Sequence, residues 1–83
     1  MIEPSKIEEL LQAAFPDAVI QLEDLTGTRD HYQAVVVTSA FVGKTPVQQH
    51  QLVYGALVEE MKGPIHALAL RTYTPEAWER QAK

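Results

Sequence analysis

Three histidines are the side chains of this chain that could do metal chemistry. They are His31, His50 and His66, and the 83 residues contain no cysteine. The chain therefore offers no thiolate nucleophile, no sulfur ligand and no disulfide of its own. Because neutral imidazole is a common metal ligand, a metal bound here would be held by His, Asp or Glu, or by cysteines that a partner supplies.

Each histidine also has an ordinary structural interpretation. His66 precedes the run Ala67–Leu70, where a histidine at a strand end commonly bonds to a backbone group. His31 stands in a polar stretch, which is typical of a solvated turn residue. His50 falls on an apolar helical stripe, where a packed imidazole is the favoured interpretation. Spacing alone does not decide between these roles and metal binding.

The sequence has no recognisable catalytic constellation. Neither a Gly-x-Ser-x-Gly elbow nor a His-Glu-x-x-His motif is present. Glu59 and Glu60 are adjacent on a predicted helix, so they face about 100° apart and indicate a solvated helix end. The run Gly43-Lys44-Thr45 is similar to the end of a phosphate loop, but position 38, where that motif needs glycine, holds threonine. We predict an ordinary capped helix start there, and a protein that is not an enzyme.

Charge and composition restrict the possible partners. Seven basic and eleven acidic residues give a net charge of −4, and no two basic residues are adjacent. Nucleic-acid binding relies on clustered Lys and Arg, so DNA or RNA is a poor first candidate. A content of 46% hydrophobic and 22% charged residues is ordinary for a globular protein. The length predicts one domain over residues 1–83.

Hydropathy predicts a protein without a membrane segment. No apolar run is longer than Ala34–Val37, which is far shorter than the roughly 20 residues that a membrane span needs. The first residues lack a basic stretch followed by an apolar one, so we expect no signal peptide. The expected location is the cytoplasm.

The patterning predicts the element order α, β, β, α, β, α. A capping box of Ser5 and Glu8 opens the first helix, and Pro16 stops it. Thr45, Pro46 and Gln48 open a second helix of about 17 residues, which Gly63-Pro64 ends. The apolar stripe predicted to be buried on it comprises Val47, His50, Val53, Tyr54, Leu57 and Met61. Strands are predicted at Val19–Leu25, Tyr32–Ser39 and Ile65–Tyr73. Thr74 and Pro75 open a last helix, on which Trp78 packs back.

The long helix between the second and third strands predicts the topology. A strand–helix–strand crossover nearly always joins parallel strands, so we expect a mixed α+β sheet with the second strand in the centre and helices on one face. The first strand pairs antiparallel with the second. His31 and His66, at the starts of two parallel neighbours about 4.8 Å apart, would then share one end of the sheet.

Four blocks of the sequence resemble the BolA-like protein family. They are Ala40–Lys44, Val47–Tyr54, Ile65–Leu68 and Thr72–Trp78. With the first helix, the likeness spans nearly the whole chain, and it is greatest to short, cysteine-free members in which a histidine and an aromatic, here His31-Tyr32, open the second strand. The resemblance implies a fold similar to a class II KH domain.

The resemblance also implies a function. Members of this family pair with monothiol glutaredoxins and share a [2Fe–2S] cluster, for which the glutaredoxin cysteine and a glutathione provide the sulfur. By this likeness His66 is a cluster ligand, and His31 is the candidate for the second. The chain is then a non-enzymatic partner in iron–sulfur cluster trafficking or iron and redox regulation. By itself it is expected to be a monomer or a weak homodimer.

Two departures bear on the alternative function, a KH-like nucleic-acid-binding transcriptional regulator. Many relatives have Arg-His-Arg where this chain has Gln49-His50-Gln51, so two cations are lost. A KH domain binds nucleic acid through a Gly-x-x-Gly loop, whereas Gly43-Lys44-Thr45 is followed by Pro46. Both departures favour the cluster-sharing hypothesis.

Overall fold

A computed structural model of the protein describes residues 3–25, 27, 31–63 and 67–82. The helices are α1 (Pro4–Ala14), α2 (Pro46–Ala56), α3 (Val58–Met61) and α4 (Pro75–Ala82), and a single 3₁₀ turn spans Ser39–Phe41. The strands are β1 (Val19–Asp24), β2 (His31–Val37) and β3 (Ala67–Tyr73). Across these ranges no helix has the length and apolar character that a membrane crossing requires.

The three strands form one mixed sheet in the order β1-β2-β3. β1 pairs antiparallel with β2, so that Val19 lies opposite Val37, and β2 pairs parallel with β3, so that His31 lies opposite Ala67. This is the predicted topology, and it is confirmed. The physical reason is the helical connection from β2 to β3, which returns the chain to the end of the sheet where β2 began.

One face of the sheet is covered by α1 and α2. Alternate residues of β2, namely Tyr32, Ala34 and Val36, are fully buried on that face. They form the core together with side chains of both helices and of the 3₁₀ turn: Ile7, Leu11, Phe15, Phe41, Val53 and Leu57. Each large side chain buried in this way contributes roughly 1.5–3 kcal/mol. The α+β class with helices on one face is therefore confirmed.

Ring contacts close the fold at the end of the sheet where β2 and β3 finish. Phe15, just after α1, lies edge-on to Phe41 with ring centroids 5.5 Å apart. Trp78 of α4 packs against Tyr73, the last residue of β3, with centroids 5.2 Å apart. The hydroxyl of Thr74 accepts a hydrogen bond from the Ala77 N–H at 3.2 Å. The predicted cap at Thr74 and the predicted packing of Trp78 are both confirmed.

The predicted start of the first helix is wrong. The helix begins at Pro4, its N-cap is Glu3, and no side chain caps it. Proline suits the first helical position because its φ is fixed and its missing N–H would have no partner there. Ser5 therefore lies inside the first turn, two residues beyond the N-cap position.

The predicted single long helix is also wrong, because it breaks at Leu57. This residue has φ −115° and ψ 19° and separates α2 from α3. Its N–H donates to the carbonyl of Tyr54 at 3.1 Å, a bond three residues back that tightens the last turn. The side chain of Leu57 is fully buried. The chain thus turns at a residue that is anchored in the core.

The buried face of α2 differs from the predicted stripe. Val47 is 66% exposed and Tyr54 is 38% exposed, whereas the side of α2 that meets the core carries Gln49, Val53 and the following Leu57, at i, i+4 and i+8. Apolar residues occur on both sides of this helix, so hydrophobicity alone predicted the wrong side to be buried. The helix is oriented by a polar residue that the apolar pattern did not reveal.

Gln49 is that residue, and its amide is satisfied on both sides. The amide nitrogen donates to the carbonyl of Lys44 at 2.9 Å and, at 3.4 Å, to that of Phe41. The amide oxygen accepts from the hydroxyl of Thr72 on β3 at 2.7 Å. A buried amide is stable only when it is hydrogen-bonded in this way. Gln49 therefore fastens the loop before α2 to the third strand.

A second polar connection, outside the core, joins the α1–β1 loop to the end of β2. The carboxylate of Asp17 accepts hydrogen bonds from the hydroxyls of Thr38 (2.5 Å) and Ser39 (2.6 Å) and from the Ser39 N–H (2.9 Å). These bonds, those from Ser39 and Thr38 above all, lower the pKa of Asp17 to about 2 because they stabilise the charged form. The carboxylate thus holds the start of the 3₁₀ turn.

We expect Asp17→Asn to lower the melting temperature above pH 4 and to have a diminishing effect at lower pH. The pKa of Asp17 is lower in the folded protein than its usual 3.8, so its stabilisation is complete above about pH 4 and is lost as the pH falls toward 2. Thermal unfolding at a series of pH values tests this. Glu23→Gln, at an exposed carboxylate on β1, is the control. A difference between Asp17→Asn and the parent protein that is constant from pH 2 to 6 would contradict the assignment.

We expect Gln49→Ala to destabilise the fold by about 1–3 kcal/mol, because it leaves the Lys44 carbonyl and the Thr72 hydroxyl without their partner. The exposed Gln51 provides a matched control on the same helix, and Gln51→Ala should change stability by less than about 0.5 kcal/mol. Urea unfolding of the two variants makes the comparison. Equal effects would show that the buried amide does not orient α2.

Candidate functional site

The first residue of β2 is His31, and its side chain is half-buried. Its backbone carbonyl accepts a hydrogen bond from the Leu25 N–H at 2.8 Å, which closes the β1–β2 hairpin at this end. On the other side its Cα partner is Ala67, the first residue of β3. The position of His31 is therefore set by both neighbouring strands.

The second predicted ligand, His66, immediately precedes Ala67 in the sequence and lies outside the described residues. The structure confirms that β2 and β3 start at the same end of the sheet and that His31 lies opposite the residue that follows His66. The prediction that the two imidazoles share this end stays a prediction.

His50 is half-buried on α2, with its ring edge-on to that of Tyr54 and centroids 6.4 Å apart. Its packing against a partly exposed tyrosine differs from the buried stripe that the sequence predicted. Among the residues that the structure describes, no three His, Asp or Glu side chains form a group that could hold a metal ion. A metal at His31 would thus need ligands from beyond this described set.

The start of α2 is a closed cap. The Thr45 hydroxyl accepts from the Gln48 N–H at 3.2 Å, and the Gln48 side chain accepts from the Thr45 N–H at 3.0 Å. Pro46 has no N–H to offer. The capping box that the sequence predicts is confirmed, and it occupies N–H groups that a phosphate would need. The likeness of Gly43-Lys44-Thr45 to a phosphate loop therefore carries no nucleotide site.

The two glutamines that flank His50 have two different roles. Gln49 is a buried connection within the fold, while Gln51 is exposed on the same helix. A change at Gln49 thus acts on the loop before α2, whereas a change at Gln51 acts at the surface. Gln49 lies four residues before Val53 and therefore on the same side of the helix. This spacing could have distinguished the buried Gln49 from the exposed Gln51, given that Val53 faces the core.

Comparison with known proteins places the chain in a family. The family model described as BolA-like protein matches residues 9–77. The chain is 36% identical over 84 residues to human BolA-like protein 1, covering 93% of this chain and 61% of that protein. It is 35% identical over 86 residues to the DNA-binding transcriptional regulator BolA of Escherichia coli, covering 95% of this chain and 82% of that protein.

Solved structures agree with the sequence comparison. The crystal structure of a bol-like protein from Babesia bovis superposes with a TM-score of 0.88 at 28% identity, covering all of this chain and 96% of that one. The chain spans less than two thirds of the length of human BolA-like protein 1, and most of the length of the bacterial and protozoan proteins. A family match over residues 9–77, relatives above 30% identity and the same three-dimensional fold lead to one conclusion: the chain belongs to the BolA-like protein family.

Proposed function

We propose that this chain is a non-enzymatic partner of a monothiol glutaredoxin and shares a [2Fe–2S] cluster with it, in iron–sulfur cluster trafficking or iron and redox regulation. The observation that carries the proposal is the pairing of His31 with Ala67 at the common start of β2 and β3. One peptide bond separates Ala67 from His66. One imidazole donor, His31, thus opens β2, and the other, 35 positions later, directly precedes in the sequence the first residue of the parallel strand β3.

The donor chemistry of the chain fits a shared cluster. The chain has no cysteine, whereas iron–sulfur clusters usually take thiolate ligands, and histidine replaces part of them in clusters of higher potential. A glutaredoxin cysteine and glutathione would supply the thiolates, while His66 and His31 would supply imidazole nitrogens. When bound, the cluster would provide a one-electron redox centre whose potential histidine ligation raises.

The fold fixes the backbone position of His31. Its carbonyl is held by the Leu25 N–H, and its strand is the central one of the sheet. A ligand fixed on regular structure loses little conformational entropy when it binds a metal. Because only neutral imidazole binds a metal, protons compete with the metal for the ring, and ligation should weaken as the pH falls.

We expect His66→Ala to leave the fold intact and to alter the visible absorption and circular dichroism spectra of the complex with a cluster-loaded monothiol glutaredoxin. His31→Ala should have a smaller effect of the same kind. His50→Ala is the control, because this histidine lies on α2 beside Tyr54 rather than at the sheet end. Acidification from pH 8 to 5 should change the spectrum of the wild-type complex, because protons compete with the metal for the imidazole, and should change that of His66→Ala much less.

Unchanged spectra and unchanged pH dependence in His66→Ala would show that this residue is not a ligand. A complex that does not form even with the parent protein would overturn the glutaredoxin partnership itself. Far-ultraviolet circular dichroism of each variant alone verifies that the substitution has not unfolded it.

Nucleic-acid binding is the second candidate, since the Escherichia coli relative is named a DNA-binding transcriptional regulator. For this chain the charges argue against it. The net charge is −4, and Lys44 is the single charged residue from position 31 to position 58. Counterion release from DNA requires several cations on one surface, and the amide of Gln49, where relatives have arginine, is used within the fold.

We expect no specific DNA binding at physiological salt. Fluorescence anisotropy with labelled duplexes, at about 0.15 M salt and then at lower salt, measures this directly. A submicromolar affinity that falls steeply as salt is added would contradict the expectation and favour the regulator function.

A further inference from the structure

We propose that the outward face of α2 is a self-association surface, on which a second copy of this chain packs with its own α2 antiparallel. The face is defined by Val47, Gln51 and Tyr54 of α2 together with Val58, the first residue of α3, and we name these four residues the outer stripe. This inference concerns the chain alone and does not depend on glutaredoxin or on a cluster.

The outer stripe has the spacing of a helix–helix contact. Val47, Gln51 and Tyr54 follow one another at i, i+4 and i+7, the repeat of a coiled-coil seam, and Val58 continues the sequence spacing at i+11 just after the turn at Leu57. Val47 is 66% exposed, Val58 51% and Tyr54 38%. The opposite side of α2 is already buried through Gln49 and Val53. A surface helix normally has one apolar side. The second apolar side of α2 is exposed within the described fold, apart from the contact of Tyr54 with His50 of the same helix.

The helix behind the outer stripe carries no charge. None of the eleven residues of Pro46–Ala56 is Asp, Glu, Lys or Arg, although more than half of them are exposed. Helix faces that meet water usually carry charged side chains, whereas the centres of protein interfaces are depleted of them. This composition therefore favours coverage by another protein surface.

The charges at the two ends of the outer stripe select the occupant. Lys44 precedes α2, and Glu60 lies beyond its other end on α3. Neither side chain makes an ion pair with any residue in the described ranges. In an antiparallel pair Lys44 of each copy lies opposite Glu60 of the second copy, whereas a parallel pair would place like charges together. Antiparallel helix dipoles also attract. A second copy thus supplies the complementary charges.

The centre of the stripe leaves room for close approach. Antiparallel pairing about a point between Gln51 and Tyr54 places Val47 opposite Val58 of the second copy. Gly55 lies beside this centre, and a Cβ added to it would meet no atom within 4 Å in the described part of its own chain. Glycine is unfavourable inside a helix, and no described atom nearby would exclude a Cβ at this position. Because glycine has no side chain, the backbone of a second copy could approach closely here.

We expect a weak dimer, because three apolar side chains and two ion pairs form a surface smaller than that of a standard stable interface. Sedimentation equilibrium of the purified chain should give a mass that rises with concentration, with a dissociation constant between roughly 1 µM and 1 mM. Val47→Asp should abolish the rise. Asp is well tolerated in the first turn of a helix, so this variant should fold. Leu25→Asp, at a residue 51% exposed elsewhere, is the control and should still dimerise.

A charge exchange tests the antiparallel orientation. Lys44→Glu alone or Glu60→Lys alone places like charges opposite each other and should raise the dissociation constant about tenfold. The double variant restores opposite charges and should return to within about threefold of the parent protein. A monomeric mass at every concentration up to about 1 mM would overturn the proposal, and so would a dimer that Val47→Asp and the single charge variants leave unchanged.

Discussion

Because the connection from β2 to β3 runs through α2, the two strands pair in parallel, and much of the molecule follows from that pairing. It places β2 in the centre of the sheet and requires α2 to lie along one face. It also makes the two ends of the sheet chemically different. The start of β2, which is His31, and the start of β3 meet at one end, while the 3₁₀ turn, the loop before α2 and the start of α4 meet at the other.

The end that holds the 3₁₀ turn has the strong polar connections of the described structure. Asp17 reaches across from the α1–β1 loop, and Gln49 joins the loop before α2 to Thr72. At the opposite end the Leu25 N–H bonds to the His31 carbonyl, and the Gly27 N–H bonds to the carboxylate of Asp24. The hydrogen bonds of Asp17 and Gln49 lie at the end of the strands away from His31, so a substitution at His31 does not remove them.

Sequence reasoning predicted the parts of the fold that local chemistry determines. Strand order and direction follow from one helical crossover, and the caps at Thr45 and Thr74 follow from residue types at fixed spacing. It failed where several local solutions compete. The helix α1 starts at Pro4, before the cap predicted at Ser5. Apolar residues lie on both sides of α2, so the hydrophobic pattern did not show which side is buried. His31 was placed correctly at a strand start, since a strand boundary depends on local pattern, whereas the buried role of Gln49 depends on carbonyls and a hydroxyl that come from distant parts of the chain.

The hydrogen bonds of Gln49 make the residue type at position 49 depend on the residue type at position 72. An amide both donates and accepts, and this one donates to the Lys44 and Phe41 carbonyls while it accepts from the Thr72 hydroxyl. An arginine at position 49 has only donors. It could satisfy both carbonyls, but the hydroxyl at position 72 would then have to turn and accept, or be replaced. The two positions should therefore covary among homologous sequences, with an amide accompanied by a donor on the third strand and a guanidinium accompanied by an acceptor or an apolar residue.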